Sequence, residues 1–221
     1  MSLSFENILV AEKIRNNMLT WSKIDDLLYS VFSEYRKNVN LNNVGFKIVI
    51  LDKLYNCNLK MDINKIAEHI INKKIDMKLI SGDPISLVDN IANIKIDVER
   101  KQKYSELKKI IKKRVGLVFT SKYCHFHEPE RFPIYDSFAK IGLGSLLEKD
   151  INEYNWKYEN FKNDIDDLLN KNRLNISYKQ IDEYLWLYGK WINYKNNVSN
   201  LSGEIKYAIE NYINLFEKLD P

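Results

Sequence analysis

VGFKIVILDKLYNC, residues 44–57, is apolar on nearly every side when its side chains are placed at helical spacing. A helix with that pattern is expected to be surrounded by other helices, so this run predicts the central core helix of the fold. Apolar residues from Phe5 to Tyr35 recur at steps of three and four. That period predicts two amphipathic helices, with Ser22 as the N-cap of the second.

Helical periodicity continues through the rest of the chain. DINKIAEHIINKK, residues 62–74, begins with a capping aspartate, and His69 beside its isoleucine stripe is predicted to be structural. Seven glycines and four prolines leave few of the turn signals that a β-sandwich or barrel needs. The predicted fold class is therefore all-α. Further helices are predicted after the SGDP turn at 81–84, over 136–147, over 153–170, in SYKQIDEYLWLYGKW with Gly189 as the C′ residue, and from Ser202.

The composition is that of a globular protein. Of 221 residues, 45% are hydrophobic and 29% are charged, which is too hydrophobic for a disordered chain. A chain of this length can form one core or two lobes. We expect a helical lobe formed by both termini, residues 1–60 and 150–221, and a second lobe formed by residues 61–149.

The N-terminal residues and the cysteine count indicate a cytoplasmic protein. Cys57 and Cys124 are too few for a disulfide framework, and the first twenty residues carry Glu6, Glu12 and Lys13 instead of an apolar block. No stretch approaches the roughly 20 apolar residues that a membrane span needs. We therefore expect no membrane partner, and we expect a monomer.

Charge is unevenly distributed along the chain. ERKQKYSELKKIIKKR, residues 99–114, holds eight basic and two acidic residues, a net charge of +6 in a chain whose total is +4. Residues 148–167 hold seven acidic and three basic residues, a net charge of −4. The basic segment is predicted to be a helix. It is either a solvated lysine face or a surface for a phosphate backbone.

TSKYCHFHEPERFPIYDS, residues 120–137, gathers reactive side chains around two prolines. A tight turn at Gly116 precedes it, a short helix is predicted to start near Thr120, and Asp136 is placed to cap the next helix. Helix N-termini present free N–H groups, so a phosphate backbone can dock across the turn. Lys122 begins an otherwise apolar helix, where burial and a positive helix end disfavour an ammonium ion and an amine can act as a nucleophile.

The order of a basic helix, a hairpin at RVGLVFTSK, a short helix with Lys122 and a proline-preceded Asp136 resembles the helix-hairpin-helix DNA glycosylase superfamily, particularly the 8-oxoguanine DNA glycosylases. The likeness covers roughly residues 100–147. TSKYCHFHEPERFPIYDSFA and YKQIDEYLWLYGK also resemble a group of uncharacterised bacterial proteins. The family hairpin usually reads Leu-Pro-Gly-Val-Gly, whereas this chain has Gly116 followed by bulky residues.

The resemblance implies a two-lobed helical enzyme of base excision repair, a DNA N-glycosylase with lyase activity. Lys122 would attack C1′ of the damaged nucleotide and form a Schiff base, and Asp136 would assist. The implied partner is duplex DNA with a flipped-out damaged base. No metal or organic cofactor is implied.

Two further groups of site residues follow from that resemblance. Bases stack on aromatic rings, so the predicted base pocket contains Phe126, Phe138, Trp186 and Tyr188. The predicted DNA-binding residues lie along the basic segment and the turn after it: Lys108, Lys109, Lys112, Lys113, Arg114, Gly116, Thr120 and Ser121.

Alternative interpretations use the same residues differently. Cys124, His125 and His127 are of the ligand types that zinc prefers, but their helical spacing leaves only Cys124 and His127 on one face and supplies no fourth ligand. A non-catalytic nucleic-acid-binding protein would keep the basic segment without the chemistry. A helical protein whose basic segment meets an acidic partner is the third alternative, and weak salt dependence of binding would distinguish it.

Overall fold

The computed structural model describes residues 3–37, 40–55, 57, 59, 62–101, 108–155, 157–198, 201 and 203–221, and only the backbone of 95–101 and 108–114. The all-α prediction is confirmed for these residues, apart from one antiparallel pair of strands. The elements are α1 Phe5–Asn16, α2 Leu19–Glu34, α3 Leu41–Tyr55, α4 Ile63–Asn72, α5 Ile75–Lys78, α6 Pro84–Ala92, β1 Lys95–Lys101, β2 Lys108–Arg114, α7 Leu117–His127, α8 Ser137–Leu147, α9 Tyr158–Lys171, α10 Tyr178–Lys195, α11 Gly203–Asn211 and α12 Ile213–Phe216, with 3-10 turns at Ile151–Tyr154 and Glu217–Leu219.

The chain forms two compact units. Unit 1 contains Met1–Leu27 and Pro129–Pro221, and unit 2 contains Leu28–Glu128. The sequence-based division placed the boundaries at residues 60 and 150 instead. Residues 28–60 therefore belong to the middle unit, and residues 129–149 belong to the unit that contains both termini.

The core of unit 1 is built around α10, which packs against α8 and α1. Ile8, Ala11 and Ile14 of α1 and Ile181 and Leu185 of α10 are buried, at the three- and four-residue spacing that a helix needs to bury one face. The C-terminal residues join this core, since α12 and the following turn contact α1. Unit 1 thus holds α8 and α10 in direct contact.

In unit 2, α3 packs against α4 and α7, and α6 packs against α7. Val44, Ile48 and Leu51 form the buried face of α3, whereas Phe46 and Val49 are 46% and 37% exposed. The prediction that residues 44–57 form a helix surrounded on all sides is therefore wrong. The helix has one buried face.

The basic segment is not a helix. Residues 95–101 and 108–114 form the antiparallel strands β1 and β2, with Lys95 paired to Arg114 and Lys101 to Lys108. Residues 102–107 of the predicted helix lie outside the described residues. The helix-hairpin-helix predicted around Gly116 is therefore replaced at this point by a strand that leads into α7. Both strands contain β-branched residues, Ile96 and Val98 in β1 and Ile110 and Ile111 in β2, and such residues favour an extended conformation.

Local capping signals at α4 and α8 are confirmed. Asp62 caps α4, and Asp136 caps α8. Ser22 lies inside α2, which already begins at Leu19, and Gly189 lies inside α10. Among the described residues, no helix combines the length and the apolar character that crossing a membrane would require.

Candidate functional site

Asp136 lies at the end of a proline-containing extended segment and starts α8. Its Oδ1 accepts a hydrogen bond from the backbone N–H of Ala139 at 2.8 Å. The preceding segment is held by Asp182 of α10, whose Oδ2 accepts from the N–H of Ile134 at 2.8 Å. Burial raises the pKa of Asp182 well above its usual range, and the nearby Asp136 charge adds to that effect. The Asp136 carboxylate itself is partly exposed.

Two glycines bring α8 and α10 into backbone contact. A Cβ atom on Gly189 would overlap the carbonyl oxygen of Phe138, and one on Gly142 would overlap the carbonyl oxygen of Leu185. Real Cβ atoms cannot be accommodated at such distances from backbone, so only glycine permits this crossing. The contact fixes the start of α8, and with it Phe138, beside the middle of α10.

Lys190 follows Gly189 on α10 and lies between two aromatic rings. Its Nζ is 3.4 Å from the centroid of Phe138 and 5.3 Å from that of Trp186. Burial lowers the pKa of Lys190, and the Asp136 carboxylate opposes that shift. The side chains of Asp136, Phe138, Trp186 and Lys190 are all partly exposed, so this cluster is open to solvent.

Lys140 is a second amine influenced by Asp136. It lies one turn into α8, and its Nζ is 4.7 Å from the ring centroid of Tyr135. Burial lowers its pKa, and Asp136 again opposes the shift. Tyr135 is buried, unlike Phe138 and Trp186, so this second amine rests on a core ring.

The aromatic and cationic side chains around Lys190 continue from Trp186 to Arg15 of α1. The Arg15 guanidinium carbon is 5.8 Å from the Trp186 centroid and 5.9 Å from that of Trp21. The two tryptophan rings are themselves 5.7 Å apart, and Arg15 forms an ion pair with Asp25. Cations over ring faces and offset rings are both attractive arrangements. Unit 1 therefore carries amines, a carboxylate and stacking surfaces in one cluster.

Lys122 lies in unit 2, whereas Asp136 lies in unit 1. Lys122 is 7% exposed, and its Nζ is 4.7 Å from the centroid of Tyr55, a ring of the same unit. The amine is thus packed on an aromatic face within unit 2, in agreement with the expectation that its helix would partly bury it.

The four aromatic residues predicted for a base pocket fall into different environments. Phe138 and Trp186 meet around Lys190 in unit 1. Tyr188 is buried and stacks on Tyr184 at a centroid distance of 5.6 Å. Phe126 is buried in unit 2, where its ring packs against the rings of Tyr29, Phe32, Tyr55 and His125. Tyr188 and Phe126 are therefore core residues and do not line an open pocket.

The predicted phosphate contacts at the turn are not available in this structure. The Gly116 N–H, at a φ of +95°, donates to Ala92 O at 3.3 Å. Thr120 and Ser121 are buried, and their hydroxyls donate to Gly116 O at 2.8 Å and Val118 O at 3.3 Å. The predicted phosphate contacts of Gly116, Thr120 and Ser121 are therefore corrected, because the N–H group and the two hydroxyls form hydrogen bonds within the local fold. The side chains of Lys108, Lys109, Lys112, Lys113 and Arg114 lie outside the described part of the structure, which shows only that their backbone forms β2.

Residues 7–131 match the HI_0787_N family, which is described as an N-terminal domain. The matched range is more than half of the 221-residue chain. The chain belongs to the HI_0787_N family. An uncharacterised protein of Haemophilus influenzae is 33% identical over 155 residues, which cover 66% of this chain and 65% of that protein, so the chain spans slightly less than two thirds of its relative. No solved structure matches the chain.

The HI_0787_N match contains all of unit 2 and the first part of unit 1. Lys122 lies inside the matched range. Asp136, Phe138, Trp186 and Lys190 lie C-terminal to it. The family assignment thus concerns a different part of the chain from the cluster around Asp136.

Inside the HI_0787_N range, Lys47 is fully buried at the centre of a polar network. Its Nζ forms an ion pair with Asp76 and hydrogen bonds with Tyr35 O at 3.0 Å and His127 Nε2 at 2.9 Å. Tyr123 Oη donates to Asp76 Oδ1 at 2.9 Å. The donated Lys47 proton assigns His127 Nε2 as an acceptor, so the neutral ring carries its proton on Nδ1. That Nδ1 is buried, and no described residue offers it a hydrogen bond.

Burial shifts the pKa of each titratable side chain in this network. It lowers the pKa of Lys47 and raises that of Asp76, although the ion pair between them opposes both shifts. It lowers the pKa of His127 well below its usual range, with the Lys47 and Arg36 charges adding to the effect. The Tyr123 hydroxyl has a raised pKa for the same reason. The network is sealed, so its chemistry is that of stability and not of substrate contact.

Sequence reasoning did not find the Lys47 network. The available signal was a lysine within the otherwise apolar run 44–57, since an unpaired buried lysine is costly. The three residues of the zinc alternative have other environments. The Cys124 thiol is buried, His125 Nε2 lies 2.7 Å from Tyr29 Oη, and His127 Nε2 is hydrogen-bonded to Lys47. Among the described residues, no three side chains of the metal-ligand types converge.

Proposed function

We propose that the protein is a DNA N-glycosylase with associated lyase chemistry, acting on a flipped-out damaged base through a lysine Schiff base. The observation that carries this proposal is the cluster in unit 1. There the partly exposed Asp136 carboxylate acts electrostatically on two amines with lowered pKa values, next to the rings of Phe138 and Trp186. Such a reaction requires an amine, a carboxylate and aromatic surfaces.

The chemistry assigns a separate task to each group. An uncharged lysine Nζ forms a bond to C1′ while the bond from C1′ to the base breaks, and the base leaves with that electron pair and takes up a proton. The Nζ atom then loses a proton, and the bond from C1′ to O4′ breaks while O4′ takes up a proton. The sugar ring opens and an imine remains. A carboxylate such as Asp136 stabilises the positive charge that develops on the sugar.

The resemblance assigns the amine to Lys122, and burial of Lys122 on the Tyr55 ring supports an amine with little hydration. Lys140 and Lys190 are amines on which Asp136 acts directly. The proposed function requires one of them and is tested independently of the choice.

Borohydride trapping tests the proposed function. The full chain is incubated with duplexes that contain 8-oxoguanine, an abasic site or no lesion, and borohydride reduces any imine to a stable protein–DNA adduct. We expect an adduct with at least one lesion-containing duplex and none with the undamaged duplex. No adduct with any duplex would overturn the proposal.

Asp136→Asn supplies the matched comparison for the carboxylate. Asparagine is also a good N-cap, so α8 keeps its capping group while the charge is lost. We expect the adduct yield to fall by at least about tenfold, because electrostatic stabilisation is usually a large catalytic effect. Asp150→Asn removes an equivalent charge from another N-cap of unit 1 and should leave the yield unchanged.

The second candidate function is a nucleic-acid-binding protein without catalysis. The basic antiparallel pair β1 and β2 favours it, because a two-stranded ribbon fits the major groove of DNA and lysines neutralise phosphates. Binding of the lesion-containing duplexes without any borohydride adduct would support this second candidate over the first.

A further inference from the structure

Unit 1 offers two amines to Asp136, and their surroundings differ. Lys140 lies on the buried ring of Tyr135, which has no face available to a ligand. Lys190 lies between Phe138 and Trp186, both of them partly exposed. A flipped base needs an accessible aromatic face next to the amine. Of the two lysines, only Lys190 has such a face beside it.

We infer that Lys190 is the amine that attacks C1′, with Phe138 and Trp186 as the faces that receive the extruded nucleoside. This inference rests on the proposed function and assigns its nucleophile to unit 1, next to Asp136. The amine would be a catalytic residue because its Nζ forms the bond to the sugar. Neither the family match, which ends at residue 131, nor the resemblance assigns this role to Lys190.

The contact between Lys190 and Phe138 provides a way for the substrate to activate the amine. An ammonium 3.4 Å from a ring centroid is stabilised by the ring, and this attraction favours the charged form. A base or sugar that occupies the same ring face displaces the ammonium from it. The displaced group loses that stabilisation in a site where burial already disfavours charge, so proton loss to solvent becomes easier.

The position of Lys190 depends on the glycine before it. Gly189 lets the backbone of Phe138 touch α10, and this contact places the Phe138 ring beneath the next side chain of α10. The Lys190 amine is therefore held by two rigid helices and not by a loop, as a precise reactive geometry requires.

Variant proteins and mapping of the adduct test this inference. Wild type, Lys190→Gln, Lys190→Arg, Lys140→Gln and Lys122→Gln are each trapped with borohydride on the abasic-site duplex. We expect Lys190→Gln and Lys190→Arg to lose at least about 99% of the adduct and to lose more of it than Lys140→Gln or Lys122→Gln does. Arginine keeps the cation over the Phe138 ring but is not a nucleophile, so it separates chemistry from packing.

Peptide mass spectrometry of the wild-type adduct identifies the modified lysine directly. We expect the reduced sugar on Lys190. An adduct on Lys122 or Lys140, or full trapping by Lys190→Arg, would overturn the inference and leave the proposed function standing. Absence of any wild-type adduct would overturn both. Thermal unfolding of each variant shows whether a lost adduct reflects a lost fold.

Discussion

His127 makes the stability of unit 2 depend on pH. Its ring faces Lys47 of α3, Asp76 of α5 and Tyr123 of α7, and the Arg36 charge also acts on it. The folded chain keeps the ring neutral, because burial lowers the pKa of His127 well below that of an exposed histidine. The unfolded chain takes up the proton near pH 6.5. Stability is therefore highest above that pH and falls as the pH decreases below it.

We expect the free energy of unfolding of wild type to fall between pH 7 and pH 5 by about 2 kcal/mol more than that of His127→Gln. Glutamine keeps an acceptor for Lys47 and removes the titration. Urea unfolding followed by far-UV circular dichroism at several pH values measures the difference. The comparison variant is His69→Gln, which changes a histidine hydrogen-bonded to Asn90 outside this network. Equal pH dependence in His127→Gln and wild type would contradict this assignment.

The sequence predicted individual residues where the interaction is local. Asp136 accepts from an N–H three residues away, so its role as an N-cap could be recognised from the residue type and the helix that follows. Lys47 meets Asp76 and His127 across 29 and 80 residues of chain. No local pattern encodes such a meeting, and the contact of Lys190 with Phe138 likewise depends on how α8 crosses α10.

At the scale of secondary-structure elements, the crossing of α8 and α10 depends on Gly189. An added Cβ would overlap the Phe138 carbonyl oxygen, which belongs to backbone and cannot move aside without shifting α8. We expect Gly189→Ala to lower the free energy of unfolding of unit 1 by about 1–3 kcal/mol, the usual cost of overpacking. The tryptophans among the described residues, Trp21, Trp186 and Trp191, lie in unit 1, so urea unfolding followed by tryptophan fluorescence reports on it.

Gly45→Ala is the matched control for this substitution. Gly45 is also inside a helix, α3, but a Cβ there would have no neighbour within 4 Å. Alanine should therefore stabilise unit 2 by up to about 1 kcal/mol through helix propensity alone, which urea unfolding followed by far-UV circular dichroism measures. If Gly189→Ala were as stable as wild type, the close helix contact would not be a determinant of the fold.

Gly189 and the basic segment show why elements were misassigned from sequence. Glycine is common at C′, so Gly189 indicated a helix end, whereas the structure uses it for contact between helices. Five of the seven residues of 108–114 are basic and hide the period, because long charged side chains are compatible with a helix or a strand. The pairing of β2 with β1 decides between them, and this pairing is not a property of either segment alone.

At the scale of the whole molecule, the excess positive charge of the chain is concentrated in the sequence of the β1–β2 pair. β2 contains five basic residues and no acidic residue, while residues 148–167 of unit 1 carry a net charge of −4. A chain with a total charge of only +4 would attract DNA weakly if that charge were spread evenly. In the proposed complex with DNA, a basic ribbon would instead offer consecutive phosphate contacts, whether or not chemistry follows binding.

Each lysine that neutralises a phosphate releases about one counterion, so it contributes close to one unit to the slope of log affinity against log salt. We expect replacement of Lys108, Lys109, Lys112 and Lys113 by glutamine to reduce that slope for a plain duplex by about 3–4 units. A control variant makes the same charge change at four exposed lysines, Lys13, Lys65, Lys73 and Lys78. Fluorescence anisotropy from 50 to 300 mM salt, roughly the range in which such slopes are measured, compares the two. Equal slopes in both variants would place the DNA contacts elsewhere, because net charge alone would then account for the attraction.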